Sequence, residues 1–267
     1  MIVMRGLSIA HLKRSGGHAV ALWLMGHFQN SALSNANTWA NPFFKISSWI
    51  LPDATATQSD GTVRRGLRST RAGLDPRVAA DAISGTAIKK DLFVVSYEDP
   101  DLHSWFPDLW PECFPPAARH DRILVLRSFY NHIASRIAFM HTRKQFGTAG
   151  YKPNRIQWWK QHAREALVPL YKVILFDKWF DSPLYRRNVE EMLDLQTDDS
   201  QLQTVGTDGS GSSFDKTRLN GQAQCMNVLH RHTQVELPKE VLEDDDAREL
   251  NYSLFGWTLN RYGKVLN

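Results

Sequence analysis

The stretch Leu12-Lys13-Arg14-Ser15-Gly16-Gly17-His18 lies between two apolar runs, Gly6-Leu7-Ser8-Ile9-Ala10-His11-Leu12 on one side and Ala19-Val20-Ala21-Leu22-Trp23-Leu24-Met25 on the other. The first run is short and reads as a strand, and the second continues as a buried helix. The stretch between them therefore sits at a helix N-terminus, where unpaired backbone N–H groups and the positive end of the helix dipole favour an anion. Gly16 and Gly17 let the backbone approach that anion closely, Lys13 and Arg14 add charge, and Ser15 adds a hydroxyl. This is a phosphate-binding loop, with an ordinary strand-to-helix turn as the plain alternative. A nucleotide-hydrolysing P-loop requires G-x-x-x-x-G-K-[ST], whereas here His18 follows Gly17. ATP or GTP hydrolysis loses ground accordingly.

Working outward, three further segments read as buried parallel strands: Asp91–Tyr97, Arg122–Leu126 and Tyr171–Phe176. Helical patterns separate them. Ser128 is placed to cap a helix through about Met140, residues 157–168 form another that ends at Pro169, and Asp181 or Ser182 with Pro183 opens a third through about Leu193. Asp244 to Asp246 supply an acidic start for a last helix through about Arg261. Strands alternating with helices imply a three-layer α/β/α architecture with a mainly parallel central sheet, and ligands then bind beyond the carboxyl ends of the strands. Two segments read as irregular: residues 31–90, with loop chemistry at Asp53–Gly61, and the glycine- and serine-rich residues 196–216. The chain carries no solenoid-length repeat.

Composition bounds the possibilities. With 267 residues, 42% of them hydrophobic and 11% aromatic, the chain can bury a full core and is expected to form one domain. A net charge of +4 suits an anionic ligand but is too mild to argue for nucleic acid. Cys113 and Cys225 make neither a disulfide framework nor a zinc signature, so a reducing, cytoplasmic setting is expected. The ten histidines show no H-E-x-x-H or His/Cys spacing, and no metal site is expected. The run Ala19–Met25 is far shorter than the roughly 20 residues of a membrane span.

A second anion signal lies downstream. Arg127 stands just after the strand Arg122–Leu126, and Ser135 falls eight residues later, about two turns into the following helix. A guanidinium at a strand's carboxyl end and a hydroxyl on the adjoining helix suit a phosphate, the first as a planar fork and the second as a single short hydrogen bond. Taken alone, each residue would usually read as a surface group.

With both motifs in order, the chain resembles the P-loop-fold sulfotransferases that use 3′-phosphoadenosine 5′-phosphosulfate. The resemblance rests on Arg14-Ser15-Gly16-Gly17-His18 and on Arg127 with Ser135, and it covers residues 5–28 and 91–140, extending more weakly to 171–195. It implies that Lys13, Arg14, Ser15, Gly16, Gly17 and His18 hold the 5′-phosphosulfate while Arg127 and Ser135 hold the 3′-phosphate. The chain departs from the family pattern in having Gly17-His18 for Thr-Thr, Arg14 where many members carry a lysine, and Ser128-Phe129 after Arg127.

The resemblance further implies in-line sulfuryl transfer to a hydroxyl, or less favourably an amine, of a carbohydrate or small metabolite, releasing adenosine 3′,5′-bisphosphate without a metal. Lys13 or Arg14 stabilises the leaving oxygen. Glu98, two residues before Pro100 at a strand end, is the candidate general base, with His103 in reserve and His18 behind it. The plain alternative is that Glu98 and Asp99 cap a turn.

Other signals carry two readings each. Gly209–Lys216, including Ser212 and Ser213, reads as a nest closing over the nucleotide or as a surface linker. Arg64, Arg65, Arg68, Arg71 and Arg77 read as a dock for an acidic acceptor or as a solvated loop. Trp39, Phe43, Phe44 and Trp49 line an acceptor cleft or pack a core edge. Two rival functions remain: a P-loop-type kinase with an atypical loop, and a non-catalytic nucleotide-binding protein of the same fold.

Overall fold

A computed structural model describes residues 5–29, 31–37, 49–57, 63–68, 91–102, 119–142, 154–206 and 212–267. His103, Trp39, Phe43, Phe44, Arg71, Arg77, Cys113 and Gly209–Gly211 lie outside the described residues. The chain forms two compact units, Met1–Ala10 with Leu24–Ile123, and His11–Trp23 with Leu124–Asn267.

The first unit is built on strands β1 (Arg5–His11), β2 (Ser31–Asn37), β3 (Trp49–Thr57), β4 (Val63–Arg68), β5 (Leu92–Glu98) and β6 (Arg119–Leu126), in the order β4-β3-β2-β5-β1-β6. β2 runs parallel to β5 from Ser31 opposite Leu92 to Asn37 opposite Tyr97. All of β1 is buried, as is β5 up to Tyr97, which is how parallel strands covered on both faces read. The N-terminal half of β1 is pinned to β6 by polar groups: Arg5 Nη2 meets Asp121 Oδ2 at 2.6 Å, and Ser8 Oγ meets His120 Nε2 at 2.9 Å.

Residues 31–90 are not irregular throughout, since β2, β3 and β4 all fall there, and Asp53–Thr57 belongs to β3. β3 is antiparallel to both neighbours, and its pairing with β4 shifts register between Leu51 and Thr55. Pro52 sits inside that interruption. It has no N–H to give the ladder, so the strand bulges there and resumes. Pro52-Asp53 breaks the local pattern that sequence reading relies on, while the pairing that overrides it is non-local.

The second unit takes the ends of β1 and β6, with β7 (Lys172–Leu175) following β6 in sheet order. Its helices are most of α1 (Gly17–Gly26), then α2 (Phe129–Thr142), α3 (Asn154–Glu165), α4 (Phe176–Asp181), α5 (Pro183–Leu193), α6 (Lys239–Leu242) and α7 (Asp245–Phe255). Leu12, Leu126, Phe129, Tyr130, Ile133, Trp159 and Phe255 belong to its core, where each buried large side chain contributes roughly 1.5–3 kcal/mol.

Helix ends follow the sequence in part. Ser182 caps α5 by accepting from Tyr185 N–H, and Asp244 caps α7 by accepting from Ala247 N–H at 2.9 Å. α7 stops at Phe255 rather than near Arg261, because Gly256 takes the left-handed cap at φ 80°. Ser128 does not serve as the expected cap of α2. Its hydroxyl donates to Asp177, and the Phe129 N–H is met by Asn251 Oδ1 at 2.7 Å. Phe176, expected to end a strand, opens α4. No described helix is long and apolar enough to cross a membrane.

Candidate functional site

The second unit brings the two anion motifs together. After β1 the chain makes a tight turn in which Ser15 N–H donates to the Leu12 carbonyl at 3.0 Å, with Arg14 at φ 71° and Gly16 at φ 90°. Gly16 then accepts the first helical bonds of α1, from Ala19 and Val20. The positive end of the α1 dipole thus faces the turn, as an anion site needs. Both glycines are required sterically. A Cβ at Gly16 would lie 2.2 Å from the Phe176 ring, and one at Gly17 would lie 2.3 Å from the His11 ring. His18 is half-buried with its ring edge-on to His11, the centroids 5.5 Å apart. Ser15 is fully buried, and its hydroxyl has no hydrogen-bond partner among the described residues.

The two candidate cations differ in placement. Lys13 is exposed, and its carbonyl accepts from Arg136 Nη1 at 3.3 Å. The left-handed backbone of Arg14 turns its guanidinium over the Phe139 ring of α2, 3.7 Å from the centroid.

Arg127 and Ser135 meet directly. Arg127 is 2% exposed, and its Nη1 donates to Ser135 Oγ at 2.8 Å. Nη2 donates to the Val228 carbonyl, while Trp159 Nε1 donates to Arg127's own carbonyl at 2.8 Å and fixes the backbone. Sequence reading missed a second buried guanidinium. Arg231, 5% exposed, reaches the same Ser135 hydroxyl at 3.3 Å and donates through Nη2 to Ser212 Oγ at 2.8 Å. It opens a short 3₁₀ turn, Arg231–Gln234, outside any strand or helical pattern. The only local hint is a run, Val228–Gln234, that contains basic residues and no acidic one.

Burial pushes the Arg127 pKa down to about 10, with Asp177 opposing the shift. Arg231 is pushed down to about 9 by burial and then by the repulsion of Arg127, with a further push from Arg14; Asp215 and Asp177 oppose it. Arg14 thus lies within electrostatic reach of Arg231. The carboxylates stand at long range, Asp177 at 3.5 Å from Arg127 and Asp215 at 3.6 Å from Arg231. Ser15 Oγ, Ser213 Oγ, Arg127 Nε and Arg231 Nε are buried donors that lack hydrogen-bond partners among the described residues. A phosphate, which offers only acceptor oxygens at neutral pH, fits such a set. Ser212, by contrast, is occupied by its own turn, accepting from Phe214 N–H and Asp215 N–H and donating to Asp215.

Beside this cradle lies a cleft of about 210 Å³, lined by Phe180, Asp181, Gln224, Met226, Asn227, Leu229 and His230. Val228, which accepts from Arg127, belongs to the same segment. In the first unit, Glu98 ends β5 half-buried, and Asp99 turns the chain at φ 51° before Pro100.

No family model and no curated protein matches the chain. Among solved structures, the sulfotransferase domain of the curacin biosynthetic pathway aligns over 94% of this chain and 98% of its own length, with 12% identity and a TM-score of 0.51. The sulfotransferase domain of the Synechococcus PCC 7002 olefin synthase aligns over 95% and 96%, at 12% identity and a TM-score of 0.48. With helices on a sheet whose centre is parallel, the chain has the α/β fold of a sulfotransferase domain, as the resemblance implied.

Proposed function

We propose that the chain is a sulfotransferase that uses 3′-phosphoadenosine 5′-phosphosulfate and acts on a hydroxyl of a carbohydrate or small metabolite. One observation carries the reading: two buried arginines, Arg127 and Arg231, share the Ser135 hydroxyl in the same unit as a helix-N-terminal loop that lacks the Walker lysine. A donor with phosphate groups at both ends of its ribose uses both features, whereas ATP leaves the arginine pair without a ligand. When bound, that donor supplies the sulfuryl group.

The chain's own residues provide binding and charge. Arg127, Arg231 and Ser135 hold a 3′-phosphate. The α1 N-terminus, Ser15, Gly16, Gly17 and His18 hold the 5′ end, and the nucleoside fits the cleft along residues 224–230. Arg14 is favoured over Lys13 for neutralising the leaving oxygen, because its charge reaches Arg231 while Lys13 faces solvent. Glu98 is the proton acceptor in this scheme.

The donor class is tested by thermal melting with adenosine 3′,5′-bisphosphate, ATP, ADP and AMP. Ligand at about 100 times its Kd stabilises by about 2.7 kcal/mol, so the bisphosphate is expected to raise Tm by several degrees and the others by much less. A larger shift with magnesium and ATP points to a kinase instead. Bisphosphate binding without transfer to any acceptor marks a non-catalytic binder.

Arg127→Ala separates the two ends of the donor. Losing a charge-assisted bond of about 1.5–3 kcal/mol is expected to weaken bisphosphate binding about 10- to 100-fold. AMP, lacking the 3′-phosphate, is expected to bind within about 3-fold of wild type by the same reasoning. Equal weakening of both ligands places Arg127 elsewhere.

A further inference from the structure

The dipeptide Phe176-Asp177, where β7 gives way to α4, touches both halves of the cradle. The Phe176 ring fills the space that a side chain at Gly16 would need, and the Arg127 guanidinium lies 5.3 Å from its centroid. Asp177, 7% exposed, turns its two carboxylate oxygens to different partners. Oδ2 accepts from Ser128 Oγ and from Asn131 Nδ2, the latter at 3.2 Å, while Oδ1 stands 3.5 Å from Arg127 Nε.

Asn131 extends this arrangement to the second arginine. Its Nδ2 also donates to the Leu229 carbonyl at 2.8 Å, and its Oδ1 accepts from His232 N–H at 3.2 Å. The His232 ring adds a contact from Nδ1 to the same oxygen at 3.1 Å. Burial, with His230 nearby, pushes that imidazole down to about 4, so it is neutral at pH 7 and Nδ1 carries the donated proton. One carboxylate therefore braces Arg127 directly and, through Asn131, the segment that carries Arg231.

Building on the reading of a donor with a 3′-phosphate, we infer that Asp177 is a positioning residue, which sets the orientation of Arg127 for that phosphate without touching the ligand. The role requires a carboxylate. A negatively charged group with two accepting oxygens serves the hydrogen bonds of Ser128 and Asn131 on one side and the ion pair with Arg127 at 3.5 Å on the other. An amide fails on one side whichever way it turns, because its NH₂ then faces a donor. A competing effect has the opposite sign: removing a negative charge strengthens attraction for any anion nearby. The two effects separate in the ratio of affinities for adenosine 3′,5′-bisphosphate and AMP, because the orientation of Arg127 matters only to the 3′-phosphate.

The test is titration calorimetry of both nucleotides on the full chain, with Asp177→Asn, Arg127→Met and the double variant beside wild type. Asp177→Asn is expected to lower the bisphosphate-to-AMP affinity ratio about 10-fold, the effect of one charge-assisted hydrogen bond. In the Arg127→Met background the same change is expected to move the ratio less than about 2-fold, because the residue it orients is gone. An unchanged or increased ratio in Asp177→Asn overturns the inference, as does an undiminished effect without Arg127. Should Asp177→Asn fail to fold, Ser128→Ala releases one of the two anchors of Oδ2. A fall in the ratio there supports the inference, and no fall overturns it. If wild type itself fails to distinguish the two nucleotides, the proposed donor class fails, a result separate from any of these.

Discussion

Gly16→Ala is expected to destabilise the protein by about 2–5 kcal/mol, from two independent costs. At φ 90° an alanine adopts a left-handed backbone, which costs roughly 1–2 kcal/mol. The added Cβ also meets the Phe176 ring at 2.2 Å, well inside van der Waals contact, and overpacking of that kind costs about 1–3 kcal/mol. The ring cannot yield without consequence, because Phe176 is itself buried and the Arg127 guanidinium lies along its face. Tm is expected to fall by about 5–15 °C, and bisphosphate affinity falls further than the melt alone accounts for.

Two other glycines separate the costs. Gly221 has nearly the same backbone, φ 85°, with no heavy atom near its would-be Cβ, so Gly221→Ala carries the conformational cost alone, about 1–2 kcal/mol. Gly17 has no left-handed backbone, but its would-be Cβ lies 2.3 Å from the His11 ring, so Gly17→Ala carries the steric cost alone. Differential scanning calorimetry of the three variants checks whether the Gly16 loss approaches the sum. A Gly16→Ala protein as stable as Gly221→Ala would mean that Phe176 moves aside freely and does not join the two halves of the cradle.

These contacts also explain which parts of the site were legible in the sequence. The loop could be read because its signals are local: an apolar strand, paired glycines and an apolar helix in succession. Arg127 and Ser135 could be read because a strand end and a helix turn fix their spacing, and the structure joins them at 2.8 Å. Arg231 could not be read. It reaches Ser135 from 96 residues away on a 3₁₀ turn, and no periodicity aims it there. Asp177 and Asn131 were hidden for a similar reason, since Asp177 follows a segment that reads as strand and Asn131 lies in the first turn of α2, yet both act through side chains across long sequence separations. Ser128 shows the reverse error. A serine before a helix reads as a cap, but here a buried carboxylate draws its hydroxyl and Asn251 takes over the helix end. Strands β2 to β4 were missed because pairing, and not pattern, defines them.

Glu98→Gln is expected to lower the transfer rate about 10²–10⁴-fold, the range over which a well-placed general base acts. Glu98 occupies the carboxyl end of β5, the end at which open α/β sheets bind ligands. The competing role is mechanical, because Asp99 at φ 51° and Pro100 turn the chain immediately afterwards, and a carboxylate at such a place often serves its own backbone. Glutamine is close in shape and retains a carbonyl oxygen that accepts hydrogen bonds, so a turn-supporting role survives the change nearly intact. Proton abstraction does not survive it. The check is single-turnover transfer measured beside melting temperature and bisphosphate affinity, with Asp99→Asn as the control, since asparagine tolerates the left-handed backbone. A rate within a few-fold of wild type removes Glu98 from the role, and loss of rate in His103→Gln instead transfers the assignment there. A fall in rate with melting temperature and nucleotide affinity both intact separates a proton acceptor from a turn-forming carboxylate, because a broken turn lowers the melting temperature too.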